Sequence, residues 1–205
     1  MKTITAIRAQ RRGRDEANIF LDGAFAFSLR RQVVEEQGLR LGQVLSDSQV
    51  EELEGAELFG RCFNAALRLL SYRPRSEAEI RARLSRRFEG EIIGRVLLQL
   101  KARRMVDDAA FAQFWRENRE SFSPRSKRLL KLELKQKGID HEVVDEVLEG
   151  IDDEENAYRA AKRRGRTLER DYETFRRKLG AFLGRRGFSY GVINRTIERL
   201  WQESS

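Results

Sequence analysis

The sequence predicts a mainly α-helical protein, with tandem three-helix repeats in an elongated array preceded by a small N-terminal β-hairpin or meander module. Internal self-similarity is the first observation behind that fold class. A shift of 50 residues lays Pro124-Arg125-Ser126 on Pro74-Arg75-Ser76, Leu130 on Ile80 and Leu134 on Leu84. A further shift of 49 lays Gly187 on Gly138, and Leu179 and Leu183 on Leu130 and Leu134. A period near 50 residues with shared apolar positions marks stacked units, each burying its open face against the next. The second observation is the helical apolar period from about residue 57 onward, in a chain that is 36% charged and has only two prolines. The third is Asp22-Gly23 between NIFL and AFAFS, a two-residue hairpin turn ahead of the repeats.

In the N-terminal module, Lys2 to Gln10 reads as a strand and Asn18 to Ser28 as a hairpin, which together make a three-stranded meander. Phe20 is expected to face Phe25 across the ladder, with Phe27 continuing that face. Arg11 to Glu16 forms the expected loop tip, where Arg11, Arg12 and Arg14 are positioned to touch a phosphate chain or simply to face water. Arg30 to Gln37 is a short helix stopped by Gly38. Ser46 with Gln49 has the spacing of a capping box, and Val50 and Leu53 lead to Gly55, the expected joint with the repeats.

The first repeat opens with a helix over Glu57 to Tyr72. Pro74 excludes helix around it, and Ser76 with Glu79 forms a second capping box. Ile80, Leu84 and Phe88 then form one seam, met by Ile92, Ile93, Val96, Leu97 and Leu100 on the following helix. In the second repeat Asp107 or Asp108 caps a helix on which Phe111, Phe114 or Trp115, and Asn118 follow helical spacing. Ser123 is the expected cap of the next helix with Pro124 in its first turn, Gly138 its left-handed stop, and Asp140 the cap of the helix bearing Val143 to Ile151. The third repeat begins at Asp152 and Glu155, its middle helix ends at Gly187, and Ser189 caps the last one, whose Trp201 is expected to seal the array. These signals divide the chain into residues 1–54, 55–106, 107–151 and 152–205.

The stretch SYRPRSEAEIRARL, the run from Leu97 to Leu100, Val106-Asp107-Asp108, Phe111-Ala112 and KLELKQKGID together resemble the RecX family, bacterial modulators of the RecA recombinase. The resemblance spans nearly the whole chain. It departs from the family at Ala102 to Met105, where the usual wording is richer in glycine. It implies a non-catalytic regulator that binds RecA and RecA-coated single-stranded DNA. Such a regulator lies along the filament groove and restrains ATP hydrolysis, strand exchange and filament growth in recombinational repair and the SOS response.

Composition narrows the chemistry independently. Cys62 is the only cysteine and His141 the only histidine, so neither a disulfide nor a Cys/His metal cage forms within one chain. Cys62 shares a helical face with apolar residues and reads as core, and the aspartate pair reads as a cap rather than a metal site. No phosphate-cradling glycine loop, nucleophile elbow or histidine triad occurs, so neither an enzyme nor a cofactor is expected. The start lacks the apolar core of a signal peptide and no run is long enough to span a membrane, so a cytoplasmic protein is expected, and it is expected to be a monomer.

The net charge of +8 is uneven: residues 1–54, 55–105, 106–153 and 154–205 carry −1, +7, −4 and +6. The candidate binding residues are Arg73, Arg75, Arg81, Arg83, Arg86 and Arg87 in the first repeat and Lys127, Arg128, Lys131 and Lys135 in the second. Arg163, Arg164, Arg185 and Arg186 follow in the third. Repeated cations suit a regularly charged filament. The competing reading is a free-standing DNA-binding protein acting without RecA. Against it, no helix carries a clustered set of Asn, Gln and Arg suited to base edges, and naked DNA is expected to bind weakly and without sequence preference.

Overall fold

The computed structural model describes residues 1–9, 16–165 and 171–204, in two compact units: residues 1–68 with 84–99, and residues 69–83 with 100 onward. In the first unit the strands β1 (Lys2–Ala9), β2 (Glu16–Leu21) and β3 (Ala24–Arg30) form the expected meander. A fourth strand, β4 (Val44–Leu45), returns to pair with β1 in the order β3-β2-β1-β4. Two residues are too few to show strand alternation in a sequence, and the pairing depends on a turn at Gly42, whose φ is +82°. Residues 10–15, which include Arg11, Arg12 and Arg14 of the expected loop tip, lie outside the described residues.

The hairpin turn forms at Asp22 and Gly23, with φ of +49° and +84°. Phe20 pairs with Phe25, ring centroids 5.9 Å apart in an edge-to-face arrangement. Phe27 does not continue that face. The register shifts there, so that Phe27 opposes Ile19, Ala26 becomes the extra residue of a bulge, and Phe27 is buried while Phe25 is exposed. One inserted residue inverts the side on which a period-2 pattern lands.

After α1 (Arg31–Glu36), Ser46 and Gln49 exchange both capping-box bonds, Ser46 N donating to Gln49 Oε1 at 2.9 Å and Gln49 N to Ser46 Oγ at 3.2 Å. The helix they start, α2 (Asp47–Tyr72), runs unbroken through Gly55, contrary to the expected joint there. A glycine inside a helix costs only about 1 kcal/mol against alanine, and the flanking apolar positions outweigh it. Val50 and Leu53 close the core of this unit on Ile4, Ile19, Leu21, Leu29 and Leu45.

The remaining helices are α3 (Glu77–Leu84), α4 (Gly90–Ala102), α5 (Asp108–Phe122), α6 (Lys127–Gln136), α7 (His141–Val147), α8 (Asp153–Gly165), α9 (Tyr172–Arg185) and α10 (Tyr190–Ser204). Helices α5 to α7 enclose Phe111, Leu130, Leu134, Val144 and Leu148. Helices α8 to α10 enclose Ala157, Phe175, Leu179, Leu183 and Ile197, with Trp201 packed 5.2 Å from Tyr172 and 5.4 Å from Phe175. Asp107, Asp140 and Asp152 accept bonds from the amides that follow them, as caps. At the glycine-poor Ala102 to Met105 turn, Arg104 itself takes the left-handed conformation, φ +55°. Ser123 is not the cap of α6. Ser126 is, its Oγ accepting from Leu129 N at 3.2 Å, because the extended conformation that Pro124 imposes on its surroundings delays the helix.

One polar junction recurs in the second unit with the period of the sequence. The serine that caps α3, Ser76, donates from Oγ to the Lys137 carbonyl at 2.7 Å, and Glu77 N donates to Asp108 Oδ1 at 2.8 Å. One repeat later Ser126 N donates to the Arg186 carbonyl at 3.0 Å, and Lys127 N donates to Asp153 Oδ1 at 2.7 Å. Each helix start is thus satisfied by the next repeat, by the first turn of one helix and the C-terminal turn of another. The approach requires glycine: a Cβ on Gly138 would lie 2.4 Å from Ala78 Cβ, and one on Gly187 2.6 Å from Ser126 Oγ.

Glu79 does not complete its capping box. Its carboxylate turns to Arg73, with bonds of 2.9 and 3.0 Å, and to Lys137 of the next repeat. Burial alone would raise its pKa. The bonds from Arg73 and Lys137 outweigh burial and hold it at about 2, against an ordinary 4.5.

Gly187→Ala should destabilise the chain by about 1 to 3 kcal/mol more than Gly150→Ala, because Gly150 also has a positive φ but open space beside it. Equal losses in urea unfolding would contradict the close approach. Because the folded pKa of Glu79 is depressed, its contribution of about 3 kcal/mol is present above the ordinary carboxylate value and fades as pH falls toward 2. Glu79→Gln should therefore be less stable than the parent at pH 7 and approach it near pH 2, whereas a gap independent of pH would contradict the ion-pair assignment.

Candidate functional site

The joint between the second and third repeats leaves a groove of about 470 Å³. Its walls include Phe122 at the end of α5, Pro124, Arg159, Arg163 and Arg164 on α8, Phe182 and Arg186 at the end of α9, and one acid, Glu120, which pairs with Arg116 at 3.2 Å. Arg159 and Arg163 stand one helical turn apart on one face of α8, since i and i+4 lie above one another. Arg159 is braced by the buried Asn156 at 2.5 Å. Arg186 lies 4.4 Å over the Phe182 ring and donates to Ser123 Oγ at 2.7 Å and to the Pro124 carbonyl at 3.2 Å. Phe122 is 78% exposed, a large ring in water beside these cations.

The electrostatics behind the groove are lopsided. The buried Glu133 carboxylate accepts from Trp115 Nε1 at 2.8 Å and Arg119 Nε at 2.9 Å, and also pairs with Arg125. Burial lowers the pKa of Arg186, and so do Arg119 and Arg185. Burial likewise lowers that of Arg125, as do Arg119 and Arg186. Guanidinium groups remain charged through such shifts, so the lowering records burial first and, after it, repulsion between neighbouring cations that an incoming anion relieves. Cations alternating with aromatic rings in a groove match an acidic or phosphate-bearing partner.

Among the residues named from sequence, Arg163, Arg164 and Arg186 meet in this groove, and Arg185 is exposed next to it. Others serve the fold. Arg73 holds Glu79, Arg75 Nε donates to the Leu69 carbonyl at 2.9 Å, Arg81 pairs with Glu77 at 2.9 Å, and Lys131 pairs with Asp145. Arg83, Arg86, Arg87, Lys127, Arg128 and Lys135 are exposed. Sequence reasoning missed Arg159, Phe122 and Phe182. The i, i+4 spacing of Arg159 and Arg163 was available as a signal. Nothing in the apolar pattern distinguishes an exposed Phe122 from a core one.

The fold and groove define a protein of tandem three-helix domains with a basic, aromatic-edged joint; no described helix is long and apolar enough to cross a membrane. Four family models cover it: the RecX N-terminal domain over residues 2–46 and the RecX first, second and third three-helix domains over residues 62–100, 107–148 and 152–197. Regulatory protein RecX of Bacillus velezensis is 31% identical over 209 residues, covering 100% of this chain and 80% of that protein. Its counterpart in Halalkalibacterium halodurans is 32% identical over 202 residues, covering 94% and 76%. A crystal structure of regulatory protein RecX superposes with a TM-score of 0.66 at 25% identity, covering 97% of this chain and 100% of that one. RecX from Lactobacillus salivarius gives 0.58 at 26%, covering 71% and 97%. The chain belongs to the RecX family of regulatory proteins.

Proposed function

We propose that this chain is a non-catalytic cytoplasmic regulator that binds RecA and its filament on single-stranded DNA, and that it restrains ATP hydrolysis, strand exchange and filament growth during recombinational repair and the SOS response. Membership of a family of regulatory proteins supports the class of activity. The observation that carries the binding surface is the groove beside Arg159, Arg163, Arg164 and Arg186, where cations and rings converge on a joint between repeats. A nucleoprotein filament presents phosphates and acidic side chains at regular intervals, and such a groove meets both by charge and by stacking. The exposed cations Arg83, Arg86, Lys127, Arg128 and Lys135 add attraction that reaches about 8 Å at physiological salt and weakens as salt rises.

Arg163→Glu combined with Arg164→Glu tests this reading, because both side chains are exposed, and exposed substitutions change stability by about 0.5 kcal/mol or less in most proteins. The double variant should inhibit the RecA ATPase on single-stranded DNA about tenfold less effectively, with unchanged helical content and melting temperature. Full inhibition by the double variant would remove the groove from the interface. An affinity for one duplex sequence about a thousandfold above non-specific binding, with nothing added by RecA, would instead make the chain a free-standing DNA-binding protein.

A further inference from the structure

The first compact unit holds a second cleft, of about 570 Å³, built by residues outside the groove described above. Its floor is one stripe of α2: Glu57, Arg61, Asn64 and Arg68 fall at i, i+4, i+7 and i+11, on a single helical face. Arg30, at the end of β3, Glu16, at the start of β2, and Arg87 with Phe88, after α3, stand in the walls, so four arginines face two carboxylates. Every cation in this lining is an arginine, whose planar fork binds phosphate oxygens two at a time, whereas lysine offers a point charge.

The inner end of the cleft is fixed by Arg30. Its backbone N donates to Glu57 Oε2 at 3.4 Å, and its guanidinium crosses α2 where Gly60 leaves room, since a Cβ there would lie 2.3 Å from the terminal nitrogen. Glu57 is buried beside Arg30, its Oε2 3.9 Å from Arg30 Nε, so its carboxylate faces that cation at the inner end. The outer end presents Arg61, Asn64, Arg68 and Arg87, all exposed. Arg61 and Arg68 are separated by seven residues, about 10 Å along the helix axis at about 1.5 Å per residue, so one anion cannot satisfy both. The site therefore suits a chain of anions. The half-buried Phe88 ring adds a face for stacking at its rim.

We infer that the cleft between α2, Arg30 and Arg87 binds the sugar-phosphate backbone of a single-stranded nucleic acid, with Arg61, Arg68 and Arg87 on phosphates and Phe88 under a base. A concave, arginine-walled site with an aromatic rim accepts a strand whose bases are unpaired, because a base must leave its stack to reach the ring. This goes beyond the proposed action on RecA and does not rest on it, since the strand is bound by a different compact unit and without a protein partner.

Fluorescence anisotropy of the full chain with fluorescein-labelled oligo(dT), in the absence of RecA and across a salt series, tests the inference. On a single strand each phosphate neutralised by a cation adds about 0.7 to the slope of log affinity against log salt. Arg61→Ala with Arg68→Ala should therefore weaken binding about tenfold and reduce that slope by about 1.4. Arg87→Ala alone, on a separate segment, should reduce it by about 0.7. Arg61→Lys with Arg68→Lys should retain the slope, which a variant that merely unfolds the unit would not do. Unchanged affinity and slope in both alanine variants would overturn the inference. So would a parent protein that binds poly-glutamate but not oligo(dT), which would mark the cleft as a site for an acidic protein. Arg163 and Arg164 are intact in every variant, so failure here leaves the groove reading standing.

Discussion

The arrangement of the second unit depends on one interaction: a helix start that its own repeat satisfies only in part and the next repeat completes. Four amides at the start of any helix lack internal partners, and a buried start without partners is costly. Ser76 and Ser126 are 0% and 1% exposed, so neither serine is open to water. From one repeat further on, Asp108 accepts from the Glu77 amide, Asp153 from the Lys127 amide and the Arg186 carbonyl from the Ser126 amide, while the Lys137 carbonyl accepts from the Ser76 hydroxyl. Gly138 and Gly187 are required because the chain carrying those carbonyls must come within van der Waals distance of a helix. The polar joint fixes the register of one repeat on the next, a specification that apolar burial alone does not provide.

That constraint also creates the candidate site. Arg186 supplies its carbonyl to Ser126 and its guanidinium to Ser123 and Pro124, so the residue that locks the joint forms one wall of the groove. Arg159 and Arg163 reach the other wall because α8 begins at the aspartate that satisfies Lys127. Charge accumulates there because Arg119 and Arg125 share one buried carboxylate, Glu133, while Arg186 stands within reach of their repulsion. A surface for a charged partner is thus assembled from parts whose first task is structural.

Much of this was legible in the sequence. The 50 and 49 residue shifts located the paired positions Ser76 with Ser126 and Gly138 with Gly187 from residue identities alone. The caps at Ser46, Asp107, Asp140 and Asp152 followed from residue type and spacing, which local chemistry decides. What was illegible depended on distant partners. Glu79 has the spacing of a capping box, yet Lys137, 58 residues away, and Arg73 draw its carboxylate off. Ala26 looks like any strand residue, and only its pairing with β2 reveals the bulge that turns Phe25 outward. The cations named from sequence divide in the same way. Arg73 and Arg81 are held by glutamates, and Arg163 and Arg186 line a groove that exists only once two repeats meet.

If the joints couple neighbouring repeats, the second and third should open as one cooperative unit. Native-state hydrogen exchange in low urea reads this directly, through the slowest amides of α6 and of α9. Coupling predicts a single opening free energy and the same urea dependence for both helices, and a parallel fall in both when Asp153→Ala removes the acceptor at Lys127. Helices that open independently in the parent protein, or an Asp153→Ala change felt by α8 to α10 alone, would contradict it.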